Sequence, residues 1–125
     1  MKSTIVKIKN EDFTVPFPNV GQILEIEALK LALSKESYSG MVFSGTKSSS
    51  FALDLVDTIA HLSVLIPTLK DFLQIKSFSS IDAFLGKELV IAYKKNFLPW
   101  YSKICIELYN LDLTETADDS ENKSE

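Results

Sequence analysis

The sequence predicts a mainly α fold of the α+β class, in which an N-terminal β-hairpin packs on a bundle of about four helices. Alternating β-branched and aromatic residues are confined to the first part of the chain, apolar residues recur at helical spacing afterwards, and Gly, Pro and Ser clusters separate the segments. At 125 residues, of which 46% are hydrophobic, the chain has the size and composition of one globular domain. We predict that domain over residues 1–113 and expect residues 114–125 to form a disordered acidic tail.

The predicted hairpin comes from two alternating segments, residues 3–9 and 13–17. Val6 and Ile8 fall on one face of the first segment, and Asn10-Glu11-Asp12 has the composition of a turn between the two. Pro16 predicts that the second strand lies at an edge or ends early. Since an isolated hairpin is marginally stable, it must pack on the rest of the chain.

A first helix is predicted from about Val20 to Lys35. Asn19 and Gln22 have the spacing of a capping box, in which each side chain satisfies a backbone amide of the other residue. The apolar positions form a stripe wide enough to indicate burial on more than one side. These positions are Ile23, Ile26, Leu29 and Leu33, with Leu24, Ala28, Leu31 and Ala32 beside them.

The segment Ser34–Ser50 is rich in Ser and Gly and predicts a loop or flap of about fifteen residues. Met41, Val42 and Phe43 are apolar residues within it. They fit either a short third strand or an apolar contact point for a partner.

Three further helical segments follow. Ser50 is a candidate cap for a helix from Phe51 to about Ile66, which Pro67 ends or kinks. Asp54, Asp57 and His61 lie on the side away from its apolar stripe. A third helix is predicted over Ile81–Phe97, and a last helix begins near Pro99, because proline suits a first helical turn. The inward positions predicted for the third helix are Ile81, Phe84, Leu85, Leu89, Ala92 and Tyr93.

Charge argues against nucleic acid or anionic lipid as a partner. The net charge is −4, and residues 114–125 carry five acidic residues against Lys123, so the body is neutral. All thirteen basic residues are lysine, so the bidentate fork that arginine offers to phosphates is missing.

No apolar stretch is long enough to span a bilayer, and the N-terminus does not resemble a signal peptide. With Cys105 as the single cysteine, these features predict a cytoplasmic protein.

No residue pattern indicates catalysis, a metal or a cofactor, and we predict none of these. In the segment 40–48, Thr46 separates Gly45 from Lys47, which breaks the phosphate-loop pattern. His61 and Asp57 are one helical turn apart, which is more typical of a solvated pair than of a catalytic one. Cys105 lies within an apolar pattern and is expected to be a small buried residue.

The candidates for partner contact are apolar and aromatic. They are Met41, Val42 and Phe43 in the predicted loop and Trp100 and Tyr101 in the aromatic cluster 97–101. Trp and Tyr dominate interface hot spots, although core packing at a helix junction explains the same cluster. The acidic tail is typical of a solubilising extension.

The layout of residues 1–113 resembles the small tail assembly chaperones of tailed bacteriophages. The resemblance is carried by the hairpin, a helix with Glu25-Ile26-Glu27-Ala28-Leu29, a flexible loop, a helix with Leu53-Asp54-Leu55-Val56-Asp57, a terminal helix pair and an acidic end. It implies a non-catalytic protein of the host cytoplasm that keeps the long, helical tape measure protein soluble and helps deliver tail tube subunits. It carries no short motif, so no functional residue is transferred.

Two other classes of function stay open. A structural subunit of a virion or other complex predicts a large apolar patch and stable oligomers. A homo-oligomer is compatible with a chaperone as well as with a structural subunit. A small ligand-binding domain or enzyme predicts a closed pocket with convergent polar groups, for example carboxylates such as Asp54, Asp57 and Glu88.

Overall fold

The computed structural model describes residues 2–123, with side chains described to Leu111. The elements are listed in chain order: β1 Ser3–Ile8, β2 Glu11–Pro16, α1 Val20–Leu33, α2 Tyr38–Ser44, α3 Lys47–Leu65, α4 Leu69–Leu73, a 3₁₀ turn Phe78–Ser80, α5 Ala83–Ala92, a π-helical turn Tyr93–Phe97 and α6 Leu98–Lys123. The predicted class, mainly α with an N-terminal hairpin, is confirmed.

β1 and β2 pair antiparallel, with Ile8 opposite Glu11 at the turn. Lys9 and Asn10 both have positive φ, as a two-residue type I′ turn requires, so the turn lies one residue earlier than predicted. Val6, Ile8 and Val15 are buried on one face, which places the hairpin against the helices.

Asn96 of the π-helical turn ties the hairpin to the C-terminal half of the chain. Its side-chain oxygen accepts a hydrogen bond from the Lys7 amide at 3.3 Å, and its carbonyl accepts one from Thr4 Oγ1 at 3.2 Å. These bonds satisfy groups on the outer edge of β1 that would otherwise be open to solvent or to another strand.

The predicted capping box of α1 is confirmed. Asn19 Oδ1 accepts from the Gln22 amide at 2.8 Å, and Gln22 Oε1 accepts from the Asn19 amide at 3.0 Å. The helix ends at Leu33, after which Lys35 and Glu36 turn the chain with positive φ.

The predicted loop Ser34–Ser50 is wrong for most of its length, and so is the third strand at Met41–Phe43. Residues Tyr38–Ser44 form α2, which packs against α3, and α3 begins at Lys47 with Thr46 as its cap. Thr46 Oγ1 accepts from the Ser49 amide at 3.1 Å, so the role given to Ser50 belongs to Thr46.

α3 is the central helix, in contact with α1, α2, α4 and α5. Its second half is buried on nearly every side, from Val56 to Leu65. The core comprises Val6, Ile8, Val15, Ile26, Ala60, Leu62, Leu65, Ile66, Leu69, Leu89, Ala92, Tyr93 and Phe97.

The predicted third helix is divided. α5 begins after Asp82, whose side chain accepts from the Phe84 amide at 2.8 Å, and Phe84 itself is exposed, contrary to the inward position predicted for it. Instead of a break at Pro99, a π-helical turn in which the Leu98 amide donates to the Tyr93 carbonyl joins α5 to α6. Pro99 lies in the first turn of α6, as predicted.

The backbone of α6 runs through the region predicted to be a disordered tail, residues 114–125. Its side chains beyond Leu111, and residues 124 and 125 altogether, lie outside the described residues. The prediction for the tail stays a prediction.

Candidate functional site: a cleft between α1 and α6

A cleft of about 410 Å³ lies between α1 and α6, with α3 and the π-helical turn at its floor. It is lined by Glu27, Lys30, Asp57, His61, Tyr93, Leu98, Tyr101, Ser102, Cys105 and Ile106. The cleft therefore combines an aromatic floor with polar groups at one side.

His61 forms part of the floor and is only 3% exposed. Its Nδ1 lies 2.7 Å from the Asp57 carbonyl oxygen, which can only accept, so Nδ1 carries the proton and donates. The Tyr93 hydroxyl oxygen lies 3.3 Å from the same nitrogen and is a second acceptor for it. Burial lowers the pKa of His61, which keeps the ring neutral near pH 7 and leaves Nε2 with its lone pair.

This geometry corrects the prediction of a solvated His61–Asp57 pair. His61 is buried, and its bond goes to the backbone of Asp57 instead of its carboxylate. The Asp57 carboxylate instead accepts a 2.6 Å bond from the Tyr38 hydroxyl, whose pKa is raised by burial and by that carboxylate. Asp57 thus connects α2 to the floor of the cleft.

An aromatic cluster supports the floor. Phe97 is stacked between Tyr93, with ring centroids 5.3 Å apart, and Tyr101 at 5.0 Å. His61 lies 5.0 Å from the Tyr101 ring in an edge-on arrangement. Rings at these spacings resist rearrangement, so the cleft floor is preformed.

The charged groups at the α1 side of the cleft are already paired. Lys30 Nζ bonds Glu27 at 2.9 Å and also lies 5.5 Å from the centre of the Tyr38 ring. A ligand in the cleft therefore meets little uncompensated charge at this side.

Apolar side chains flank both sides of the cleft. Leu24 and Leu31 of α1 are each more than half exposed, and helical spacing places them on the same face as Glu27, which lines the cleft. On α6, Ile106 lines the cleft, and Tyr109 follows it by three residues; both are more than half exposed. Exposed apolar side chains thus lie next to lining residues on both α1 and α6.

The structure places the five predicted contact residues in two settings. Phe43 of α2 is 85% exposed. Its neighbour Val42 is exposed, and Met41 is half-buried. Tyr101 lines the cleft and stacks on Phe97.

Trp100 is half-buried and packs edge-on against Phe17, at 5.9 Å, and Phe97, at 5.7 Å. Core packing therefore accounts for much of the aromatic cluster around residues 97–101. Whether any of the five residues contacts a partner stays a prediction.

Cys105 is half-buried and lines the cleft, so it is not the fully buried residue that the sequence predicted. It lies close to Tyr101, and burial together with Cys105 raises the pKa of Tyr101 to about 12. Within residues 2–111, no group of three or more His, Cys, Asp or Glu side chains could hold a metal ion.

Sequence reasoning did not identify Leu24, Leu31, Ile106 and Tyr109 as site residues. A signal was present in α1, whose apolar stripe is wider than one buried face requires, and Leu24 and Leu31 are its exposed margin. For Ile106 and Tyr109 no signal existed, because the pattern 104–111 does not show where α6 leaves the body of the protein.

No family model matches the chain, and no curated protein or solved structure matches it either. Within the part of the chain that the structure describes, no single helix has the length and apolarity to cross a membrane. The segments Lys47–Leu65 and Leu69–Ser80 meet such a criterion only when taken together across a 114° bend.

Proposed function

We propose that this chain is a non-catalytic binding protein that holds an amphipathic helix of a partner protein in the cleft between α1 and α6. The observation that carries the proposal is two pairs of exposed apolar side chains, Leu24 with Leu31 and Ile106 with Tyr109, on the two helices that border a preformed aromatic floor. Solvated apolar rows at helical spacing are the usual recognition surface for a helix laid in a groove.

The dimensions agree with such a ligand. Leu24 and Leu31 are seven residues apart on one helix, or about 10 Å at the usual helical rise, which is two turns of a partner helix. A partner helix with apolar residues at i, i+3, i+4 and i+7 contacts both pairs at once.

The affinity expected from these contacts is moderate. Each of the four flanking side chains is about half exposed, so its complete burial stabilises the complex by roughly 1 kcal/mol. After the entropic cost of association, and with similar area from the partner, a roughly micromolar dissociation constant is expected. Reversible binding of that strength suits a protein that releases its partner.

In its more specific form, the proposal is that the chain is a phage tail assembly chaperone and that the bound helix belongs to a tape measure protein in the host cytoplasm. Support comes from the hairpin and helices in the layout of residues 1–113, although α2 takes the place of the flexible loop. Further support comes from the cleft, which suits the apolar face of a long helix that is not yet buried in an assembly. Phe43 on α2 offers a further apolar contact for a client longer than the cleft.

The binding proposal is tested by titrating isotope-labelled protein with a synthetic amphipathic helix that carries leucines at i, i+3, i+4 and i+7. We expect amide shifts to change around Glu27, Tyr101 and Cys105, and the double variant Leu24→Asp/Leu31→Asp to weaken binding by about tenfold or more. Phe84→Asp is the matched control, because Phe84 is 82% exposed on α5 and does not line the cleft. Equal loss with the control, or shifts elsewhere on the surface, would contradict the proposal.

The chaperone assignment needs a separate test in the producing cell. A photo-crosslinking amino acid at position 31, with position 84 as control, identifies what lies against the cleft by mass spectrometry. We expect position 31 alone to capture a long helical protein, and the finished particles to lack this chain. Stable presence of the chain in finished particles would make it a structural subunit.

A further inference from the structure

A second cleft, which shares no lining residue with the first, lies between the hairpin, α5 and the π-helical turn. It has a volume of about 370 Å³. Its apolar part is formed by Ile8, Leu85, Ile91 and Ala92, and its polar part by Lys7, Lys9, Glu88, Lys95 and Asn96. Ile91 is more than half exposed, so part of the apolar surface is open to solvent.

The electrostatics of this second cleft are positive. Three lysines line it against a single acid, Glu88. Lys7 has a cross-strand partner, Asp12, at 3.4 Å, whereas Lys9 and Lys95 form no ion pair with any described residue. A ligand that fits the cleft is therefore both apolar and acidic.

The C-terminal part of α6 has this combination of properties. Leu108 and Leu111 are each at least half exposed, and Glu107 lies beside them. Residues 112–121 of the same helix add five acidic residues and no basic one. By helical spacing, Leu108 and Leu111 lie across α6 from Ile106 and Tyr109, so the first cleft does not use them.

This part of α6 has no route to the second cleft of its own chain. α6 starts at Leu98, directly after the π-helical turn whose Lys95 and Asn96 line that cleft, and continues without a break. All described residues after Cys105 are exposed, so the helix leads away from the body of the protein. A return would require the helix to break.

We infer that residues 106–123 of α6 dock in the second cleft of another copy of this chain. Eighteen helical residues span about 27 Å, which is long enough for an interface larger than the cleft itself. A reciprocal exchange closes a two-fold dimer, and a one-way exchange makes an open chain of copies. This inference uses the second cleft and the face of α6 with Leu108 and Leu111, whereas the proposed function uses the first cleft and the opposite face, so the inference does not depend on it.

The test changes the charge of the cleft in one variant and of the helix in another, and measures self-association by sedimentation or light scattering. The variant Lys9→Glu/Lys95→Glu makes the cleft repel the acidic helix, and the variant Asp112→Lys/Glu115→Lys removes most of the negative charge of the helix. We expect each variant alone to self-associate at least about tenfold more weakly than the parent chain. An equimolar mixture of the two is expected to associate again, because the unchanged lysines of one variant then meet the unchanged acidic helix of the other.

The matched control is Lys70→Glu/Lys76→Glu, which makes the same change in net charge at exposed lysines outside the second cleft. It is expected to associate like the parent chain. A monomeric parent chain, or a mixture that stays dissociated, would overturn the inference. The inference would also be overturned if Leu24→Asp/Leu31→Asp dissociated the chain while both charge variants still self-associated. That result would place the second copy in the first cleft.

Discussion

Phe97 is the residue whose truncation tests the described core most directly. Its side chain is completely buried, and its ring contacts those of Tyr93, Tyr101 and Trp100. Phe97→Ala removes that contact area and leaves a cavity, for which the expected cost is about 4 kcal/mol. Since a domain of this size is stable by roughly 5–15 kcal/mol, the variant is expected to lose between about a quarter and most of its free energy of unfolding.

The loss is measured by urea unfolding, followed by far-UV circular dichroism and by the fluorescence of Trp100, the single tryptophan. Phe97→Leu keeps most of the volume and loses the ring contacts, so it is expected to cost about 1.5 kcal/mol. Phe84→Ala removes an exposed ring and is expected to change the free energy of unfolding by less than about 0.5 kcal/mol. A cost below about 1.5 kcal/mol for Phe97→Ala would refute the packing described around it.

Other predictions concern a buried histidine and two hydrogen bonds. Burial lowers the pKa of His61 from its ordinary 6.5, so the unfolded chain takes up a proton at a higher pH than the folded one. The free energy of unfolding therefore falls as the pH drops below about 6.5, by at most about 1.4 kcal/mol per pH unit, until the folded histidine is protonated. Urea titrations across that range should show a shallower dependence for His61→Gln, and an unchanged slope would disprove the assignment. Asn19→Ala removes half of the capping box with Gln22 and is expected to cost about 1 kcal/mol by chemical unfolding; no loss would mean that the box is not formed in solution. Tyr38→Phe removes the 2.6 Å bond to Asp57 and is expected to lower the thermal midpoint by a few degrees, with a cost of about 1–2 kcal/mol, and an unchanged midpoint would show that the bond is dispensable.

The elements that could be predicted from the sequence are those whose signals are local. The alternation in β1 and β2 and the capping pair Asn19 and Gln22 each depend on residues a few positions apart, and both predictions are confirmed. The position of Pro99 in a first helical turn is predictable for the same reason, and the structure confirms it.

The parts that failed depend on distant contacts. α2 has the composition of a loop, with Ser39 and Gly40 inside it, and it is held as a helix by packing on α3 and by the bond from Tyr38 to Asp57. The single apolar stripe on α3 predicts one buried face, which places His61 on the solvated side. α3 is instead enclosed by other helices, so its opposite face is buried as well.

The candidate site was predictable only in part. Tyr101 was identified by residue type, and it lines the cleft. The exposed apolar pairs were not, since the exposure of Leu24 and Ile106 depends on where α1 and α6 stand relative to the core. Periodicity identifies an apolar face but does not show whether another element covers it.

The attachment of the hairpin to Asn96 sets an order for folding during synthesis. Thr4 and Lys7 find their partner about ninety residues later in the chain. The ribosome therefore completes the residues of β1, β2 and α1 to α5 before the residue that anchors the hairpin exists. Until then the apolar face with Val6 and Val15 lacks part of its cover, and β1 lacks its bonds to Asn96. The nascent chain therefore carries an open strand edge through most of translation.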